Sequence, residues 1–166
     1  MVVTYLRESE EVQFEVDMEN NTYLSIGFGY DMDGVDMIGW HGDGDTAKAV
    51  DYWSIGKRTP VTDAVNNLDS TYEISADKKR VKFVTKRKLD TGDLTEDYLI
   101  PLNEEIDLVW ALNLGDSDWI IHTIWGRFRE TFHDTLGNLP LVKTATITTT
   151  SESDEGDCLK NSWGDF

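Results

Sequence analysis

Apolar and polar residues alternate with a period of two along most of this chain, the spacing that sends successive side chains to opposite faces of a β-strand. Val12, Phe14 and Val16 are separated by Gln13 and Glu15, which predicts a half-buried strand with one wet face. Leu24, Ile26, Phe28 and Tyr30 share one side of the next strand, while Ser25, Gly27 and Gly29 leave its other side nearly bare. Glycines weaken a strand unless something approaches the backbone closely, here a flat ligand or a facing sheet. Asp36 to Trp40 predicts a further strand, His41 to Asp45 the turn that ends it, and Lys48 to Trp53 the strand after, with Val50 and Tyr52 alternating against Asp51 and Trp53. Gly56 to Pro60 reads as a loop. Tyr72 to Ser75 and Arg80 to Arg87 flank the polar tip Ala76-Asp77-Lys78-Lys79, a compact hairpin. Thr91-Gly92-Asp93 breaks the chain before Tyr98 to Leu102. The apolar run Leu108 to Leu114, then Trp119 to Phe128 and the Thr-rich Leu141 to Thr150 complete the set.

About nine or ten short strands, with turn signals roughly every 8–12 residues and no long amphipathic helix, predict an all-β fold: an immunoglobulin-like antiparallel β-sandwich. At 166 residues one domain is expected, over 1–150, large enough for a core without disulfides. Residues 151–166 are acidic and carry Ser and Gly, and are expected to be a flexible tail. No internal repeat is visible.

Charge changes the picture of partners. The net charge is −17, and the tail, with five acids and Lys160, holds only −4 of it, so residues 1–150 keep −13. Such a field excludes nucleic acid as a partner and repels anionic lipid, while steering a basic protein surface toward the domain. No stretch reaches the roughly 18–20 apolar residues needed to span a bilayer, and the N-terminus has no signal-like apolar core. Cys158 is the only cysteine, which excludes an internal disulfide, a cysteine metal cluster and covalent haem attachment through C-x-x-C-H. Asn20-Asn21-Thr22 is a glycosylation sequon, compatible with secretion.

Two residues stand out chemically. His122 lies between Ile120 and Ile124 on one face of the predicted strand, with Trp119, Ile121 and Trp125 on the other, and an imidazole in such a run needs a hydrogen bond or a metal. Met32 continues the even-numbered face of Leu24 to Tyr30. Taken singly, each reads as an ordinary core residue. His41 and His133 sit near predicted turns and read as solvated. Asp31, Asp33 and Asp36, or Asp43 and Asp45, offer oxygen ligands beside Gly turns of the kind a calcium ion takes, but neither set follows an EF-hand loop, and solvated turns are the expectation. There is no Gly-x-Ser-x-Gly and no nucleophilic triad.

The segment from Gly27 to Trp40, an aromatic strand with glycines that runs through Met32-Asp33-Gly34-Val35-Asp36 into a second apolar strand, resembles the DOMON family, named for the N-terminal domain of dopamine β-monooxygenase. Val50-Asp51-Tyr52-Trp53, Gly56, Pro60 and Asp63 match the family's aspartate-aromatic strand and its Gly-to-Pro loop. Trp110-Ala111, then His122 and Arg127, match its tryptophan-alanine and histidine strands. The resemblance spans roughly residues 12–133. It departs at Gly126-Arg127, where related sequences read Arg-Gly. In the family's cytochrome branch, which includes the haem domain of cellobiose dehydrogenase and plant DOMON domains paired with membrane b-type cytochromes, the iron ligands are a methionine and a histidine. The resemblance therefore implies a non-covalent haem b held by Met32 and His122, with Met37 as the alternative thioether and Phe28, Tyr30, Trp40, Trp110, Ile120 and Ile124 lining the slot. Two axial ligands leave no open position for oxygen, which suits single-electron transfer rather than catalysis. It also implies a redox partner or an attached redox or membrane cytochrome domain, docked through basic residues, and an extracellular or membrane-anchored setting. Other DOMON domains are thought to bind sugars or mediate adhesion, and that is the alternative function.

Overall fold

The structure is a computed structural model and describes residues 1–118, 122–133 and 143–144. In chain order the strands are β1 (Val2–Leu6), β2 (Glu11–Glu19), β3 (Thr22–Gly27), β4 (Asp33–Asp43), β5 (Thr46–Ile55), β6 (Val61–Thr62), β7 (Asp69–Ile74), β8 (Arg80–Lys88), β9 (Glu105–Leu114), β10 (Ile124–Thr131) and β11 (Lys143–Thr144). Their ladders are antiparallel and form two sheets, one ordered β11-β1-β2-β8-β7 and the other β10-β9-β3-β4-β5-β6. This is the predicted antiparallel sandwich. Nine strands have five or more residues, and β6 and β11 have two each.

The period-two pattern fixes which side of each strand turns inward. Val12, Phe14, Val16 and Met18 on β2 and Val81 and Phe83 on β8 meet Leu24 and Ile26 on β3, Ile38 and Trp40 on β4, and Ile106 and Leu108 on β9. Trp40 fills the centre: its ring tilts against Phe14 at 5.8 Å and its Nε1–H donates to Thr85 Oγ1 at 2.9 Å, so the one polar atom of the indole is satisfied. The chain passes from one sheet to the other between β2 and β3, and Asn20 anchors that passage. Its Nδ2 donates to Gly44 O (2.8 Å) and Lys78 O (3.0 Å), joining the tips of the β4–β5 and β7–β8 hairpins. Gly42 must lack a side chain here, because a Cβ would stand 2.7 Å from Asn20 Oδ1.

Three local expectations are corrected. His41, Gly42 and Asp43 are the last residues of β4 rather than a turn; Gly44 and Asp45 alone make the reversal, with Gly44 at φ 60° in the conformation that a tight hairpin asks of glycine. Tyr98 to Leu102 is not a strand. Side chains and loops take up its backbone instead: Tyr98 N–H donates to Asp36 Oδ2, Tyr98 O accepts from Arg87, and Ile100 N–H donates to Leu89 O. The 24–30 strand stops at Gly27, and Tyr30 is 60 % exposed rather than on the face of Leu24 and Ile26. Of Leu141 to Thr150, Lys143 and Thr144 pair with β1, and the rest, like the expected tail at 151–166, lies outside the described residues.

Candidate functional site

The outward face of the six-stranded sheet is where the candidate residues converge. An antiparallel sandwich commonly leaves such a face in water. Here Tyr23 and Ser25 on β3, Val35, Met37 and His41 on β4, Tyr52 and Ser54 on β5, and Val109, Ala111 and Asn113 on β9 all point outward by register and are nevertheless buried. Part of the β9–β10 connection lies across them. His41 Nδ1–H donates to Ser117 O at 2.6 Å, which leaves Nε2 to accept from the Tyr52 hydroxyl at 3.3 Å. Burial and the nearby Asp116 carboxylate push the Tyr23 phenol up to about 12. His41 is thus a buried strand residue, not a solvated turn, and burial holds its pKa below the usual imidazole value.

The bare glycine side of β3 belongs to this face, and what approaches it closely is neighbouring valine. A Cβ on Gly27 would stand 2.9 Å from both Val35 and Val109, and one on Gly29 would stand 2.9 Å from Val35. Val35 joins Met37, Tyr52 and Val50 in a second apolar cluster, separate from the inter-sheet core.

His122 precedes β10 rather than lying within a strand, and it is half-buried. Desolvation pushes its pKa below the ordinary imidazole value, so the ring is neutral at neutral pH, with a nitrogen lone pair to give. Its ring meets Trp125 edge-on at 6.4 Å; the Arg127 guanidinium lies 5.6 Å from the Trp125 ring and 4.2 Å over the Tyr30 ring. An aromatic-cation ladder therefore runs from His122 to the β3–β4 loop. Met32 sits in that loop, half-buried; its carbonyl accepts from Ser54 Oγ on the outward face and from Gly56 N–H at 3.0 Å. Met32 lines a half-open recess with Asp31, Asp33, Gly56 and Lys57, and His122 is not among its walls. The cross-strand rows explain the separation. His122 precedes the row Ile124–Leu112–Leu24, while Met32 follows the row Arg127–Val109–Gly27, and three residues of strand are about 10 Å.

The remaining candidates divide between the two sides of the sheet. Tyr30 stands on the outward side under Arg127. Phe28, Trp40 and Trp110 pack in the inter-sheet core, and Ile124, opposite Leu112, shares their side by register. Ile120, with Trp119 and Ile121, lies outside the described residues. His133 is exposed.

Sequence reasoning missed a buried charge cluster. Asp36, expected in a solvated turn, is 2 % exposed and faces inward, where Arg87 Nη2 meets its Oδ2 at 2.6 Å and approaches Asp97 Oδ1 at 3.6 Å. Asp51 is buried beside them, and one oxygen from each of the three acids lies within 4.8 Å of the others. Desolvation pushes Asp36 up to about 7 and Asp51 up to about 6; Arg87 opposes the rise at both. The signal was present in the alternation. Asp36 is in phase with Ile38 and Trp40, and Asp51 pairs with Ile38, so both acids occupy inward positions.

The sequence profile of the DOMON domain matches residues 1–113. No curated protein sequence matches the chain. Among solved structures, the fold is similar to the cytochrome domain of cellobiose dehydrogenase from Myriococcum thermophilum, with a TM-score of 0.57 at 11% identity over 78% of this chain and 73% of that one. It is equally similar to the cytochrome b domain of pyranose dehydrogenase from Coprinopsis cinerea, with a TM-score of 0.57 at 11% identity over 77% of this chain and 80% of that one.

Proposed function

Because this chain belongs to the DOMON domain family, we propose that it binds one non-covalent b-type haem on the outward face of the six-stranded sheet and passes single electrons to a partner. The observation that carries the reading is the neutral, half-buried His122, joined through Trp125, Arg127 and Tyr30 to the loop that bears Met32. The donor set fits the group. A neutral imidazole and a thioether together favour ferrous iron, and the wall between them is apolar: Gly27, Val35, Met37, Val109 and Ala111 present no charged side chain. His122 and Met32 are the proposed ligands that would hold the iron. Tyr30 and Trp125 flank them, and Phe28, Trp40, Trp110 and Ile124 back the wall from the core side. When bound, the iron supplies reversible one-electron exchange. Arg127, in cation–π contact with Tyr30 and Trp125, brings a positive charge beside the site.

Both similar structures are cytochrome domains of dehydrogenases, which supports a redox partner, attached or separate, with a basic surface to meet the −17 charge. Among the described residues no helix is long and apolar enough to cross a membrane. The setting proposed is extracellular or anchored facing outward.

Haemin titrated into the purified protein tests this directly. The expected product is a one-to-one, six-coordinate, low-spin species with a Soret band, abolished in His122→Ala. Met32→His should keep haem bound but lower the reduction potential, because a second imidazole stabilises ferric iron better than a thioether does. A protein that stays colourless with haemin, while folded, overturns the reading and leaves sugar binding or adhesion as the family's remaining roles.

A further inference from the structure

The buried acids between the sheets form a second site, independent of the haem reading. Asp36, Asp51 and Asp97 set three carboxylates against the single guanidinium of Arg87, with side chains of Asp36, Asp97 and Arg87 at 1 %, 1 % and 0 % exposure. If all three ionise, the cluster is two charges out of balance in a region that water barely reaches, which an interior does not tolerate uncompensated. The hydrogen bonding is incomplete in the same place. Tyr98 N–H and Asn67 N–H satisfy Asp36 Oδ2 and Asp51 Oδ2, and Asn67 Nδ2 donates to Asp97 Oδ2. Asp36 Oδ1 and Asp51 Oδ1 accept nothing, and Asp97 Oδ1 has only the 3.6 Å approach of Arg87.

We propose that Asp36, Asp51 and Asp97 bind one divalent cation, calcium by its preference for oxygen ligands, through carboxylates that the protein leaves partly unpartnered. Two positive charges bring the cluster to neutrality with Arg87 in place. One carboxylate oxygen from each acid lies within 4.8 Å of the others, close enough for one ion to bridge all three; calcium takes such oxygen ligands readily, whereas magnesium gives up its water reluctantly and suits a buried carboxylate site less. Water completes the shell. Further acids stand nearby: Asp51 feels the Asp63 carboxylate, and Asp63 in turn feels Glu96 and Asp93. Arg87 Nε and Nη1 also lack acceptors, which defines the rival arrangement, internal water plus shared protons.

The test is calcium chloride titrated calorimetrically into the full chain after EDTA treatment and dialysis, at about pH 7.5. One saturable site is expected, preferred over magnesium, with a thermal midpoint that rises with calcium concentration. Asp51→Asn should weaken binding at least about tenfold, while the double change Asp43→Asn and Asp45→Asn at the exposed hairpin leaves it unchanged. Wild-type affinity should also fall toward about pH 5.5, as protons compete for the carboxylates, a result that stands even if the Asp51 variant does not fold. Absence of saturable heat and of any midpoint shift at about pH 7.5 overturns the proposal in favour of water and protons. Binding that Asp51→Asn leaves intact overturns it in favour of surface acids.

Discussion

Replacing Arg87 with Met removes the one cation in the buried acid cluster among the described residues while keeping a flexible apolar stem against Phe28, over whose ring the guanidinium lies at 4.9 Å. The change deletes the 2.6 Å pair with Asp36, the 2.9 Å bond to Tyr98 O and the approach to Asp97, and leaves three carboxylates facing each other at zero solvent exposure of the former partner. Breaking a buried pair on one side costs about 3–5 kcal/mol, most of it the uncompensated charge left behind. That cost depends on pH, and its sign follows from the acids. Asp36 and Asp51 have folded pKa values of about 7 and about 6 against 3.8 unfolded, so between roughly pH 4 and 7 the folded chain binds more protons than the unfolded one. These two groups therefore stabilise the fold as pH falls through that window. Arg87 opposes the rise at both, so without it they hold protons more tightly and the variant gains more on acidification. Urea denaturation followed by tryptophan fluorescence, with EDTA throughout, should show the full loss near about pH 8 and a smaller one near about pH 5. A loss under about 1 kcal/mol at the higher pH, or a gap between variant and wild type that does not narrow on acidification, refutes the reasoning.

Three further outcomes are expected. Thr85→Val leaves the buried Trp40 Nε1–H without its acceptor and should cost about 1–3 kcal/mol by chemical denaturation, whereas a change within experimental error would show that the bond carries no weight. Gly27→Ala drives a methyl to 2.9 Å from Val35 and Val109 and should cost about 1–3 kcal/mol, with part of the loss recovered when Val109→Ala is added. Association with a basic redox partner, measured by stopped flow, should slow steeply as salt rises, because −17 steers the encounter; a salt-independent rate would place the docking surface on apolar residues.

The sandwich was legible because its strands obey alternation strictly: Val12, Phe14 and Val16 on β2 and Val81 and Phe83 on β8 needed no tertiary information to be placed inward. The proposed site was legible only in its parts. Met32 and His122 were chosen by type and order, but Met32 falls in a loop and His122 before a strand, where periodicity carries no direction. Tyr30 illustrates the failure: its even number put it with Leu24, and the chain left the strand at Gly27. Trp40 and Phe28 were read as slot residues because aromatic type says nothing about which side of a two-faced sheet is occupied, and both lie in the core. The acid cluster escaped because alternation puts Asp36 and Asp51 on inward positions but says nothing of the cation that offsets them, Arg87 arriving from β8.

Asn20 carries a consequence for how the chain is made. In the sequon Asn20-Asn21-Thr22 the nitrogen that would take a glycan is the same Nδ2 that ties the two hairpin tips together. Asn20 is 7 % exposed, so a sugar there would displace both bonds and separate the tips. Oligosaccharide transfer acts on the unfolded chain during translocation, before those bonds exist. In a secretory host, occupancy at Asn20 is therefore a race between transferase and folding, and every molecule that loses it carries a lesion at the crossing between the sheets. Thr22→Val would end the race at the cost of one hydrogen bond, Thr22 Oγ1 to Glu19 O, whereas Asn20→Asp would end it by losing both Nδ2 bonds.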